Sequence, residues 1–154
     1  MKLKLMLEFV LKEIPKEKRK EELEKLKLDV NNLTNTTLMS YIYNMEEVMN
    51  LADIIVARSG AMTITEVSIA GKPAIFIPFP YATENHQEYN AKVLEKVGAA
   101  QIILDKDLNK EILSKTLDAL IEDKNKLLEM GQKAEKVSIK NVEDRIYGEI
   151  KKWI

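Results

Sequence analysis

The chain has no cysteine and a single histidine, His86, among its 154 residues. Without thiols there are no disulfides and no thiolate metal sites, which fits an intracellular protein. One imidazole cannot build a His-based metal centre, and it makes a poor start for a serine-type triad. Glycine is scarce as well. Gly60, Gly71, Gly98, Gly131 and Gly148 each stand alone, so no glycine-rich phosphate-gripping loop is written here. No apolar run approaches the roughly 20 residues that cross a bilayer, and no signal peptide is visible. Neither sign of charge dominates: 24 basic and 25 acidic residues leave −1, no footprint for nucleic acid. What is present is ordinary, with 45% apolar and 32% charged residues in a length suited to one domain with a real core.

From Asp53 onward short apolar runs alternate with amphipathic stretches, the pattern of an α/β fold in which helices cover a parallel sheet of about four strands. Strands are expected near Thr37–Tyr41, Asp53–Ala57, Ala74–Pro78 and Ala100–Leu104. Helices are expected near Met45–Leu51, Met62–Ala70 and His86–Lys96. Gly71-Lys72-Pro73 should close the second of these helices, with the proline opening the next strand. Val97-Gly98 does the same before Ala99. After Asp105 the pattern is helical to the end, at Lys110–Glu122, Asn125–Val137 and Val142–Trp153. The first thirty residues read differently, as a helical segment set apart from the domain over 31–154. Leu3, Met6, Leu7, Val10, Leu11 and Ile14 form a helical stripe over Met1–Ile14. Pro15 breaks it, and Lys16–Lys27 resumes as a charged helix. Lysines in this segment raise the possibility of a membrane-surface helix, but Glu8, Glu13 and Glu17 argue for a solvated face.

Three clusters sit where a strand gives way to a helix, the edge at which open α/β sheets bind ligands. The first is Arg58-Ser59-Gly60-Ala61-Met62-Thr63-Ile64-Thr65-Glu66. Exposed N–H groups at a helix start favour an anion, and a carboxylate one turn further in suits two ribose hydroxyls. The spacing of Thr63 and Glu66 equally fits a capping box, a purely local device. The second cluster runs from Pro78 to Asn90. Gln87 and Asn90 share a helix face suited to sugar hydroxyls, Thr83 or Asn85 could cap that helix, and His86 suits a surface or capping place better than a base. A polar, solvated helix start accounts for the same residues. The third is Tyr41-Ile42-Tyr43-Asn44-Met45, where an apolar residue could lie on a planar base. Plain aromatic packing at a strand exit explains it as well.

With these strings goes a resemblance. Tyr41-Ile42-Tyr43-Asn44-Met45, Arg58 to Glu66 after Ala52-Asp53, Gly71-Lys72-Pro73-Ala74, Pro78-Phe79-Pro80-Tyr81-Ala82 and His86-Gln87-Glu88-Tyr89-Asn90-Ala91 resemble, in order and spacing, the donor-binding C-terminal half of MurG-type N-acetylglucosaminyltransferases. The resemblance covers about Asn35 to the C-terminus. It implies a Rossmann-like domain of GT-B type and transfer of N-acetylglucosamine from UDP-GlcNAc to a lipid-linked muramyl-pentapeptide, a step of peptidoglycan precursor synthesis. In that family pattern Ile42 matches the residue whose backbone reads uracil. Ala61, Met62 and Thr63 match the turn at the diphosphate, with Ile64 and Thr65 continuing the helix. Glu66 matches the ribose ligand, and Gln87 with Asn90 the contacts to the sugar. No metal or other cofactor is implied for the inverting transfer.

The departures matter equally. The family's first strand and glycine-rich loop have no match here, and the half that supplies the acceptor site and the base is not in this chain. No catalytic residue is therefore expected within it. The expectation is a donor domain that binds UDP-GlcNAc and is inactive alone, cytoplasmic or peripheral at the inner face of the membrane. Its partner would be a separate acceptor-domain polypeptide, as one subunit of a split transferase, or a second copy meeting it at an exposed sheet edge. A non-catalytic interaction module from a truncated gene is the competing expectation, and a related UDP-sugar enzyme such as a 2-epimerase a third. Helices at the N-terminus are expected to cover the edge left by the missing strand.

Overall fold

The computed structural model describes residues 5–8 and 42–153. Four short strands, β1 (Leu5–Glu8), β2 (Ile54–Ala57), β3 (Ala74–Phe76) and β4 (Ala100–Ile102), form one parallel sheet in the order β1-β2-β3-β4. The register sets Leu5 beside Ile54, Val56 beside Ile75 and Ile75 beside Gln101. Around them lie α1 (Met45–Leu51), α2 (Ala61–Ala70), α3 (His86–Lys96), α4 (Lys110–Glu122), α5 (Lys124–Val137) and α6 (Val142–Lys151).

Alternation along β2 and β3 divides the core between the two sheet faces. Ile55, Ala57, Ala74 and Phe76 join Met49 of α1, Val67 of α2 and Ala91 and Leu94 of α3. Ile54, Val56 and Ile75, with Ile77, join Leu120 of α4 and Leu127 and Met130 of α5. Both strands are wholly buried, which is why they read as unbroken apolar runs rather than as alternating ones. Each large side chain so buried contributes about 1.5–3 kcal/mol.

The helices and strands expected from Met45 onward are found with small changes at their ends. Gly71 closes α2 in the left-handed region at φ 61°, and the Lys72 N–H reaches back to the Val67 carbonyl at 3.3 Å. On the far side α5 packs tightly against this turn. A Cβ placed on Gly131 would lie 2.5 Å from the Gly71 carbonyl oxygen, so only glycine admits this approach.

The N-terminus departs from expectation. Leu5–Glu8 is not helical but a strand, paired in parallel along the whole of β2. The same residues carry a second period: Met1, Leu3, Leu5, Leu7 and Phe9 are apolar at every other position. Periodicity over so few residues does not separate strand from helix, and backbone pairing with β2 decided the outcome. That edge of β2 is thus covered by β1 rather than by helices. The expected strand Thr37–Tyr41 and helix Lys16–Lys27 lie outside the described residues, as does the rest of the segment 9–41.

Candidate functional site

Because the sheet is parallel, β2, β3 and β4 all end on one edge, and the chain leaves each there toward α2, α3 and α4. Helix α1 runs toward the start of β2, so it too begins at that edge. In the layer, α2 packs between α1 and α3. The N-termini of α1, α2 and α3 therefore lie side by side, bringing Ile42, the 58–66 turn and the 78–90 loop to one rim.

The start of α2 is open. Gly60 is its N-cap, with extended backbone (φ −62°, ψ 153°) and no side-chain hydrogen bond to the first turn. The N–H groups of Ala61, Met62 and Thr63 consequently have no partner within the helix, whereas that of Ile64 is spent on the Gly60 carbonyl at 3.0 Å. Two other helices are treated differently: Asn109 caps α4 and Asp123 caps α5 through their side chains. The capping-box alternative for Thr63 and Glu66 is overturned, because Thr63 lies inside the first turn and caps nothing. Glu66 is half-buried, and its carboxylate makes no hydrogen bond or ion pair with a described residue. Ile64 packs against the core, and the Thr65 hydroxyl donates to the Ala61 carbonyl at 3.0 Å. Met62 is exposed.

Gln87 and Asn90 knit the first two clusters together. The Phe79 N–H donates to Gln87 Oε1 at 3.0 Å, and Asn90 Nδ2 donates to the Ser59 carbonyl at 3.1 Å. Ser59, fully buried, donates its hydroxyl to the Gln87 carbonyl at 2.8 Å. The Nε2 hydrogens of Gln87, and Oδ1 and one N–H of Asn90, make no hydrogen bond with a described residue. Ile42 is half-buried and packs against the core beside α1.

Asn85 sits at the N-cap of α3 but does not cap it. Its backbone is left-handed (φ 55°), not the extended form from which a side chain reaches the first turn, and its amide instead donates to Glu88 Oε2 at 2.6 Å. Thr83 does not cap it either; its carbonyl is engaged with His86 Nδ1 at 2.8 Å. His86 is exposed, as a surface residue would be. Lys92 donates to Glu88 at 2.6 Å, and this bond, followed by that from Asn85, holds the Glu88 carboxyl below its ordinary 4.5.

Sequence reasoning assigned no role to Arg58 or Asp105. Arg58 Nη1 lies 2.6 Å from Asp105 Oδ1, beyond β4, and within 3.1 and 3.2 Å of the Ile77 and Pro78 carbonyls, beyond β3. An arginine at the end of a buried strand was the only local signal; its partner is 47 residues away. Among the described residues no group of three or more His, Asp or Glu side chains could hold a metal ion. A shallow hollow of about 260 Å³ lined by Gly98, Gln101, Lys126, Met130 and Lys133 lies at the other end of the sheet. Lys133 there is paired with Glu129, and none of the rim chemistry reaches it.

A parallel sheet covered on both faces, with helix starts ranged along its carboxyl edge, is a Rossmann-like domain, and the solved structures it superposes on are GT-B glycosyltransferases. The chain belongs to glycosyltransferase family 28: the model described as the family's C-terminal domain matches residues 8–146. It is 44% identical over 117 residues to the UDP-N-acetylglucosamine–N-acetylmuramyl-(pentapeptide) pyrophosphoryl-undecaprenol N-acetylglucosamine transferase of Acetivibrio thermocellus, covering 76% of this chain and 32% of that protein. The enzyme of the same name from Desulfitobacterium hafniense strain DCB-2 is 51% identical over 100 residues, 65% of this chain and 27% of that protein. Among solved structures, MurG of Acinetobacter baumannii superposes with a TM-score of 0.75 at 32% identity, over 86% of this chain and 38% of that one. The spinosyn forosaminyltransferase SpnP shares the fold alone, with a TM-score of 0.64 at 14% identity over 97% of this chain and 44% of that one. The chain thus spans about a third of the length of the curated relatives it matches.

Proposed function

We propose that this chain binds the donor UDP-GlcNAc for transfer to a lipid-linked muramyl-pentapeptide. The observation that carries the reading is the uncapped start of α2 with the unengaged carboxylate of Glu66 one turn further in. A helix start with bare N–H groups stabilises a diphosphate, and a carboxylate without a protein partner is free to accept two hydroxyls. On this reading the Ile42 backbone meets uracil, Glu66 the ribose, and Ala61, Met62 and Thr63 the diphosphate. The remaining donors of Gln87 and Asn90 meet the sugar. The acceptor hydroxyl attacks the anomeric carbon with inversion as UDP leaves, and the α2 N-terminus stabilises the charge that develops on the diphosphate.

The base that takes the acceptor proton is assigned to another polypeptide or domain. Alone, the chain binds donor and does not transfer it; with an acceptor-side partner it does. The relatives' printed name supports this choice of donor and acceptor, and the placing of Ile42, Glu66 and Gln87 along one sheet edge supports the donor site.

Thermal unfolding with UDP-GlcNAc tests the reading directly. For a millimolar site, 10 mM ligand stabilises by about 1.4 kcal/mol, a shift of roughly 3–6 °C. UDP-glucose and free phosphate at the same concentration serve as controls. No shift with UDP-GlcNAc or UDP up to 20 mM would remove the reading.

A further inference from the structure

We propose that Arg58 and Asp105 are positioning residues for the sugar end of the donor site, an inference that rests on the donor-binding reading above. The pair joins the exits of three strands. Arg58 follows β2, its Nη1 reaches the Ile77 and Pro78 carbonyls after β3 at 3.1 and 3.2 Å, and Asp105 after β4 at 2.6 Å. Its guanidinium carbon also lies 5.5 Å from the centre of the Phe79 ring. Both side chains are largely withdrawn from water, with exposures of 19% and 34%.

What distinguishes this pair from an ordinary surface ion pair is where its anchors lead. Phe79, next to Pro78 and under the guanidinium, gives its N–H to Gln87 Oε1. Ser59, next to Arg58, gives its hydroxyl to the Gln87 carbonyl and takes a hydrogen bond from Asn90. Gln87 is therefore held at both side chain and backbone, each time by a neighbour of Arg58 or of its acceptors. Fixing Oε1 orients the Nε2 hydrogens, the donors left for a sugar. The ribose carboxylate of Glu66 is no part of this chain of contacts. Lysine is a poor replacement, since one nitrogen, Nη1, meets all three oxygens while the planar guanidinium lies over the Phe79 ring, a face that an ammonium lacks.

The experiment is calorimetric titration of UDP and UDP-GlcNAc into the wild type, Asp105→Asn, Arg58→Lys and Glu66→Gln, with the melting temperature of each. Asp105→Asn keeps the shape and removes the charge, so it remains informative should Arg58→Lys fail to fold. Both clasp variants are expected to bind UDP within about twofold of wild type. Their preference for UDP-GlcNAc over UDP should shrink about tenfold, the scale of one ordinary hydrogen bond. Glu66→Gln should weaken both ligands alike. In the ligand-free protein, the side-chain amide resonances of Gln87 should move in Asp105→Asn. An unchanged sugar preference with unmoved Gln87 resonances would overturn the proposal while leaving the donor site intact. Equal weakening of UDP and UDP-GlcNAc in the clasp variants would overturn it too. A wild type that binds neither nucleotide would bring down the donor reading and this inference together.

Discussion

The carbonyl oxygen of Gly71 and the backbone of Gly131 meet so closely that a single methyl group does not fit between them: a Cβ on Gly131 would stand 2.5 Å from that oxygen. The Gly71 turn also fixes the end of α2 and the entry to β3. Gly131→Ala is therefore expected to destabilise the protein by about 1–3 kcal/mol, the cost of overpacking. Chemical denaturation should show a lower midpoint with an unchanged slope. An unchanged midpoint would mean that α5 stands further from α2 than described.

Gly60 offers the opposite case. Its backbone already has the extended form of an N-cap, and a Cβ there would meet only Thr63 Oγ1 at 3.9 Å. Gly60→Asp should cap α2 and complement its dipole, raising stability by about 0.5 kcal/mol. If that helix start holds the diphosphate, the same carboxylate should compete with it and abolish measurable UDP binding. A variant that is more stable and still binds UDP would place the diphosphate elsewhere.

Asn109 serves as the matched control, because it caps α4 with a hydrogen bond of 2.9 Å to the Ile112 N–H. Asn109→Ala should cost about 1 kcal/mol and leave nucleotide affinity unchanged. Any loss of affinity in this variant would show that α4 also contributes to the site.

Glu66 should matter to the ligand and not to the fold, since its carboxylate supports nothing else among the described residues. Glu66→Gln is expected to weaken UDP and UDP-GlcNAc by roughly 10- to 100-fold, the range for hydrogen bonds to a charged group. Its melting temperature without ligand should match wild type. Affinity for 2′,3′-dideoxy-UDP should be the same in both proteins, which ties the loss to the ribose hydroxyls.

The Glu88–Lys92 pair on α3 sets a pH window for the helix beside the rim. Lys92 and Asn85 lower the Glu88 carboxyl below 4.5, and Glu88 raises the Lys92 ammonium above 10.5. A lowered carboxyl contributes stability that is present above its unfolded value and lost as the pH falls through the folded one. A raised ammonium contributes fully below its unfolded value, and loses this as the pH rises through the folded one. Stability from this pair should stay flat between about pH 5 and 10 and decline outside it. Glu88→Gln should flatten both flanks in a melting series; identical profiles would show that the pair is too solvated to count.

Some of this molecule was written locally. The buried strands after Leu51 announced themselves as apolar runs bounded by Gly71-Lys72-Pro73 and Val97-Gly98, because a strand covered on both faces needs apolar side chains throughout. Helix ends at Gly71 and Gly98 followed from backbone rules that act within a few residues. The motifs around Glu66 and Gln87 could be seen in order along the chain, and the parallel topology implied that they share an edge.

Tertiary structure decided the remainder. Leu5–Glu8 carried both a helical and an alternating period, and only pairing with Ile54–Ala57 settled it as strand. Thr63 and Glu66 had the spacing of a capping box, yet the helix begins at Gly60, which frees the carboxylate. Arg58 and Asp105 are separated by 46 intervening positions, and no local rule joins them; the sheet does, by setting the ends of β2, β3 and β4 along one rim. Sequence patterns report which residues a segment buries and where it turns, since those depend on near neighbours. Which polar groups are left without a partner, and so remain for a ligand, depends on contacts between segments far apart in the chain.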